Sequence, residues 1–340
     1  MCADAEPSAF TPARLSPRPA AARPGALPYG LTWAEFGSCL PGYDGGAATA
    51  RRTHVLAGLR DEAASQIITA DYVDVAGRRR TVPVFVKRCG SHGREADKHR
   101  TLASRGVRTP RLLGVVPRDG AQLIVLEFLP TVGIEPAGAD ELLDLIATLH
   151  CVDEPPAPLF AADPGLPQDE FERRLGGALR IVAARAHTQV DPTAWLRVYR
   201  RLRAQVSESP VELNHGELYF QQIGRRAAEQ GGELVLFDFE STALLPRFTD
   251  VASILAGLSA LTGRSERSLF EHYLAARRRR TGVGLDATVA WQDFLRVRVV
   301  TSFESLPWLI DVDESPSVPD TAATVLARIA ADVRQLATTL

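Results

Sequence analysis

The residues of this chain with the clearest chemical potential lie in one stretch, Asn214-His215-Gly216-Glu217-Leu218-Tyr219-Phe220-Gln221-Gln222-Ile223. An apolar run follows it, Leu234-Val235-Leu236-Phe237-Asp238-Phe239-Glu240. Read in order, they supply a histidine, an acid, an amide side chain five residues after that acid, and a second acid at the end of the apolar run. Transfer of a terminal phosphoryl group needs a carboxylate at the acceptor hydroxyl, oxygen ligands for Mg²⁺ and a cation on the nucleotide phosphates. Glu217 has the chemistry of the first, and Gln222 and Asp238 that of the second. The run 234–237 predicts a strand ending in Asp238, which would put a metal ligand on a stiff element where positional precision matters. His215, beside a carboxylate, has the chemistry of a general base. Gly216 permits backbone geometry that bulkier residues resist.

The stretch resembles the catalytic loop of the aminoglycoside phosphotransferase family and its choline, homoserine and fructosamine kinase relatives, which reads His-Gly-Asp, four residues, then Asn. Two positions differ by one added methylene each, Glu217 for Asp and Gln222 for Asn, and both keep their chemical group. The resemblance runs from about Arg51 to Glu304. It implies an α+β, bilobal protein-kinase-like fold, with a small β-rich N-lobe and a larger α-helical C-lobe. It also implies an O-phosphotransferase using ATP or GTP with Mg²⁺. In such a protein Glu217 is the catalytic carboxylate, Gln222 and Asp238 hold metal, and His215 is architectural and stays out of the proton transfer. Glu240 either assists a second metal or faces solvent. Thr249-Asp250-Val251-Ala252 resembles the start of the family's next helix, where Asp250 caps or braces the loop rather than touching substrate.

These groups need elements to hold them. Gln66–Val75, carrying Ile67, Ile68, Tyr72, Val73 and Val75, reads as a strand, and Thr81–Lys87 alternates around Val82, Val84 and Val86; with the polar turn 76–80 between them they predict a β-hairpin ending in a lysine. The resemblance makes Lys87 the lysine on the α- and β-phosphates; composition alone also allows an exposed strand lysine. The phosphate-covering loop falls at 60–65, where no glycine-rich cradle is present and Ser65 is the candidate nucleotide contact. A helix is expected from Arg94-Glu95 to Arg105. Glu95 is the candidate partner of Lys87, with Asp97 as a second choice; a plain first-turn acid favoured by the helix dipole is the other reading. Strands are expected at Arg111–Val116 and Gln122–Leu129, and the second resembles the segment whose main chain binds adenine, through Glu127 and Leu129.

Beyond Pro130 the period becomes helical, at Ala139–Val152, Gln168–Thr188 and Pro192–Ser207, then near Ser265–Arg280, Ala287–Leu306 and Thr321–Leu340. His150 reads as a packed structural residue. The family's last helices form the acceptor pocket; here Glu304, Trp308, Asp311, Asp313 and Glu314 set acids around an aromatic, which suits a cationic acceptor or simply a solvated surface. The expected divisions are a flexible Ala/Pro-rich tail at 1–30, a nucleotide-binding lobe at 31–130 and a catalytic, acceptor-binding lobe at 131–340.

With 45% hydrophobic and 24% charged residues over 340 positions, the composition is that of an ordinary globular protein. A net charge of −2 creates no global field for nucleic acid or an anionic membrane. Four scattered cysteines, no spanning apolar run and no signal-like start favour a reduced, cytoplasmic setting. The acceptor is a hydroxyl of a small molecule, such as an antibiotic or metabolite alcohol, or of a Ser/Thr in a modified-peptide precursor. The rival reading is a pseudokinase that binds nucleotide or a partner without turnover. Sequence leaves the oligomeric state open.

Overall fold

A computed structural model describes residues 13–14, 27–53, 65–89, 94–118, 120–185, 191–311 and 318–338. In chain order the elements are β1 (Ala13–Arg14), α1 (Trp33–Gly37), β2 (Tyr43–Thr53), β3 (Ser65–Asp74), β4 (Arg79–Cys89), α2 (Glu95–Ser104), β5 (Leu112–Arg118), β6 (Ala121–Glu127) and β7 (Thr131–Val132). There follow α3 (Ala139–His150), α4 (Gln168–Arg185), α5 (Pro192–Ser207), β8 (Val211–Asn214), β9 (Ile223–Arg225), β10 (Leu234–Leu236), β11 (Ala243–Pro246), α6 (Thr249–Thr262), α7 (Glu266–Thr281), α8 (Ala287–Asp311) and α9 (Val318–Ala337). The chain divides into two compact units: 1–141 with 220–240, and 142–219 with 241–340.

The first unit is built on a five-stranded antiparallel sheet in the order β2-β3-β4-β6-β5. One face buries Ile68, Ala70, Val84, Val86, Leu123 and Val125 beneath Phe36 of α1. The Asp74 carboxylate organises the β3–β4 turn by accepting from the amides of Ala76 and Arg78, both at 2.9 Å. A smaller sheet, β1-β7-β9-β10, uses the 220–240 segment. Within the Ala/Pro-rich start, Ala13–Arg14 pair with Thr131–Val132, and Leu27 and Leu31 enter the core.

The second unit is helical, with a two-stranded β8–β11 ribbon. Phe248, Phe270, Trp291 and Phe294 form an aromatic row with successive centroids 5.3, 5.2 and 4.9 Å apart. The buried Arg298 of α8 pairs with Asp332 of α9 through its Nε at 2.8 Å, fixing the register of the last two helices. Among the described residues no helix is long and apolar enough to cross a membrane.

The expected strands and helices are present with ends displaced by a few residues, while β2 and the β8–β11 ribbon are additions to that pattern. One difference bears on the site: β10 stops at Leu236, so Asp238 lies beyond the strand, in a left-handed conformation with φ +69°. Phe237 still donates its amide to the Gln222 carbonyl across the hairpin at 3.0 Å, and the chain turns at the next residue.

Candidate active site

Side chains on neighbouring positions of a strand point to opposite faces. In β4, Val84 and Val86 therefore fill the core while Phe85, Lys87 and Cys89 share the other face. Register does the rest: Lys87 lies opposite Ser65 of β3, and Phe85 lies opposite Ile67 of β3 and Leu126 of β6. These five residues line one pocket in the first unit, joined by Glu95, Glu127, Leu129, Phe237 and Asp238. Ser65, Lys87, Glu95, Glu127, Leu129 and Asp238, all singled out from the sequence, thus come together around a single cavity.

At its polar end Lys87 Nζ sits 2.7 Å from Glu95 Oε2, 2.6 Å from Asp238 Oδ1 and 3.5 Å from Glu240 Oε2. Burial works against the ammonium charge, but the carboxylates of Glu95 and Asp238 outweigh it and raise the Lys87 pKa. The lysine is a fixed positive charge. Glu95 is almost fully buried at the start of α2, whereas Asp97 is exposed and pairs with Arg100 at 2.9 Å. Two supporting contacts escape a reading of motifs. Burial, and then the Glu95 charge, push the Cys89 thiol pKa up, so Cys89 keeps its proton and donates to Glu95 Oε2 at 3.3 Å. Lys98 donates to the Glu240 carbonyl at 2.6 Å. Both had a periodic signal: Cys89 is two positions beyond Lys87 on one strand face, and Lys98 is one turn beyond Glu95 on one helix face.

Ligand oxygens of Glu95, Asp238 and Glu240 lie within 4.8 Å of one another. Hard carboxylate oxygens are the donors Mg²⁺ prefers, so Asp238 and Glu240 suit that ion, while the buried Glu95 is taken up by Lys87. Gln222 is brought toward this group through its backbone, by the Phe237 amide. Asp238 holds its place with positive φ, a conformation that costs a non-glycine residue on the order of 1–3 kcal/mol and concentrates at functional sites. The Glu127 carboxylate is engaged by Arg111 Nε at 2.6 Å and Arg226 Nε at 2.7 Å.

In the second unit the loop after β8 is held by its main chain. Asp250, fully buried at the start of α6, accepts from the His215 amide at 2.6 Å and the Gly216 amide at 3.0 Å, and its Oδ2 lies 3.0 Å from His150 Nε2. Burial alone would raise the Asp250 pKa; the hydrogen bond and charge of His150 and the His215 amide reverse that and hold it below the carboxylate norm. His150 Nδ1 meets the Tyr273 hydroxyl at 2.7 Å, Arg277 donates to that hydroxyl at 2.9 Å, and the same guanidinium reaches Glu212 at 2.6 Å. Gly216 has φ +87°, and a β-carbon there would come within 2.4 Å of the Ser241 carbonyl oxygen, so only glycine fits. Glu217, next in the chain, is exposed.

The remaining candidates are on α8. Glu304 accepts from the Tyr199 hydroxyl at 3.3 Å and lies 3.9 Å from Arg203, and Trp308 is exposed. Asp311 ends the helix. Asp313, Glu314 and the expected phosphate-covering loop up to residue 64 lie outside the described residues.

The fold is that of solved phosphotransferases. A choline kinase from Cryptosporidium parvum matches with a TM-score of 0.55 at 13% identity, covering 85% of this chain and 90% of that one. A spectinomycin phosphotransferase in complex with ADP and spectinomycin matches with a TM-score of 0.54 at 14% identity, covering 84% and 93%. An ethanolamine kinase from Plasmodium vivax matches with a TM-score of 0.52 at 12% identity, covering 84% and 82%. No curated protein sequence matches the chain. The sequence model of the phosphotransferase enzyme family does match, over residues 77–286, which include Lys87, Glu95, the 214–223 stretch and Asp238. With more than half of its length accounted for, the chain belongs to the phosphotransferase enzyme family.

Proposed function

We propose that the protein is an O-phosphotransferase that moves the terminal phosphoryl group of ATP or GTP to a hydroxyl of a small molecule. The observation that carries this reading is Lys87, locked between Glu95 and Asp238 in a pocket whose other wall is apolar and includes Leu129. In this role Lys87 binds the α- and β-phosphates and Glu95 holds the lysine in place. Ser65 touches the nucleotide, and the main chain at Glu127 and Leu129 receives the base. Asp238, Gln222 and Glu240 would hold Mg²⁺, which neutralises phosphate charge when bound. Glu217 orients the acceptor hydroxyl and takes its proton as the new O–P bond forms and the bond to the nucleoside diphosphate breaks. Glu304, Trp308 and Asp311 belong to the acceptor side, where acids beside an aromatic suit a cationic alcohol. A serine or threonine hydroxyl of a modified peptide is the alternative acceptor. We place the protein in the cytoplasm, with no nucleic-acid or membrane partner.

A second reading rests on one feature: Glu217 and Gln222 are each one methylene longer than the residues of the motif they resemble, and misplacement of about 1 Å costs roughly a hundredfold in rate. A pseudokinase would bind nucleotide through the same pocket and transfer nothing. Thermal unfolding with Mg²⁺-ATP and Mg²⁺-GTP comes first, since a ligand at a hundred times its Kd stabilises by about 2.7 kcal/mol. Transfer of labelled phosphate to a panel of amino alcohols, aminocyclitols and Ser/Thr peptides follows. Stabilisation with transfer is the expected result; stabilisation without transfer to any member selects the binding protein, and no stabilisation by either nucleotide overturns both.

A further inference from the structure

The metal-side residues of the pocket hang on a very small scaffold. Gln222 immediately precedes β9 and Asp238 follows β10, and these strands pair over three positions only, Ile223–Leu236, Gly224–Val235 and Arg225–Leu234. A hairpin of that length is marginal alone in water; β9 also pairs with Thr131 and Val132 of the two-residue β7, and the rest of its fastening comes from side chains. Adjacent residues on a strand face opposite ways, and the consecutive Arg225 and Arg226 reach two different carboxylates. Arg226 Nε meets Glu127 at 2.7 Å and its guanidinium also donates to the Thr109 carbonyl at 2.6 Å; it pairs as well with Glu233, across the hairpin. Arg225 meets Glu141 at 3.2 Å, and Glu141 also accepts from the Leu234 amide of β10 at 2.9 Å and from Arg108 at 2.7 Å.

We infer that Arg226 with Glu127 of β6, and Arg225 with Glu141 of α3, form a two-jawed ionic clamp that positions Gln222 and Asp238, the proposed metal ligands, in the nucleotide pocket. The inference rests on the nucleotide reading above. None of the four side chains acts on the reacting atoms; each works through the hairpin as a positioning residue. The jaws differ in strength. Glu127 is only 4% exposed, so its pair with Arg226 is weakly screened, and Arg111 at 2.6 Å shares the same carboxylate. Glu141 and Arg225 are about a third exposed and solvent weakens them. Glycine at 224 is part of the same fit: a β-carbon there would lie 2.4 Å from the Leu129 side chain, so the hairpin rests directly on a residue that lines the pocket.

The test separates the metal-dependent part of nucleotide binding from the rest. Calorimetric Kd values are measured for Mg²⁺-ATP, for ATP with EDTA and for adenosine, on the full chain and on Arg226→Gln, Arg226→Lys and Arg225→Gln. The clamp requires Arg226→Gln to reduce the gain in affinity that Mg²⁺ confers by roughly tenfold or more, as loss of a group supporting metal ligands does, with adenosine binding little changed. Lysine should restore part of the gain, because it keeps the charge and loses the fork, and Arg225→Gln should have the smaller effect. A wild-type Mg²⁺ gain that persists unaltered in Arg226→Gln overturns the clamp and leaves the nucleotide reading intact. So does an equal fall for all three ligands, which marks a general structural role. If Arg226→Gln does not fold, Arg225→Gln decides alone on the same ratio. A wild-type chain that binds ATP but gains nothing from Mg²⁺ overturns the metal assignment, and the clamp with it; one that binds neither ATP nor adenosine overturns the nucleotide reading itself.

Discussion

Lys87 in the first unit and Glu217 in the second are held by opposite strategies. Around Lys87 the side chains themselves are fastened, by ion pairs of 2.7 Å to the nearby Glu95 and 2.6 Å to the sequence-distant Asp238, whose backbone takes a positive φ. Around Glu217 the backbone is fastened. Asp250 grips the two preceding amides, glycine alone fits at 216, and the glutamate side chain is left exposed. In the function proposed above, a phosphate-gripping cation must stay charged and in place, which paired carboxylates ensure, and an acceptor-facing carboxylate needs an accurate origin, which a clamped main chain supplies.

This contrast can be broken by experiment. The largest effect should come from Asp250→Asn, which leaves buried amide donors and His150 badly matched; we expect a loss of about 3–5 kcal/mol, read from the urea midpoint. Because the folded Asp250 pKa is depressed, its contribution is complete above the ordinary carboxylate value of about 4 and lost as pH falls through the folded value. The asparagine variant should therefore show a flatter acid limb in that range. A variant as stable as the parent at neutral pH would refute the clamped-backbone account.

Next comes Lys87→Met, which should cut phosphoryl transfer roughly 10²–10³-fold, the usual result of removing one preorganised electrostatic group, with far less loss of fold. Equal losses in both would erase the distinction between the units. A smaller effect belongs to His99, buried on α2 with neither ring nitrogen hydrogen-bonded and its ring edge-on to Phe239 at 5.4 Å. Burial lowers its pKa from 6.5 to about 4. Between those values the unfolded chain binds the proton and the native one does not, so stability falls as pH drops through the window, by at most about 3 kcal/mol. His99→Leu should remove that slope, and an unchanged slope would assign it elsewhere. The smallest effect is expected for Asp97→Ala, whose pair with Arg100 is more than half exposed on both sides; under about 0.5 kcal/mol and no change in nucleotide affinity are expected. A large loss of affinity would transfer the role given to Glu95.

Much of this was readable before any coordinates. The alternation in 81–87 placed Lys87 on the face away from the core, and the helical period past Pro130 separated the two kinds of structure. The loop 214–223 and the acid at 238 stand out in the sequence by type and spacing. Harder to read was Asp238, whose strand was expected to reach it; a left-handed turn is set by what surrounds it, and no local propensity of an aspartate demands it. Arg225 and Arg226 gave no signal, because an ion pair between residues 127 and 226 leaves no periodic trace.

By itself the sequence determined which groups could do chemistry and the elements that carry them, since side-chain type and hydrophobic period are local properties. Only the tertiary structure decided that 220–240 clusters with the first unit, that Glu95 and not Asp97 meets Lys87, and that His150, Tyr273, Arg277 and Glu212 stand behind Asp250. Those outcomes depend on burial and on distances between residues far apart in the chain. Charge pairs become strong and specific only where folding has taken them out of water.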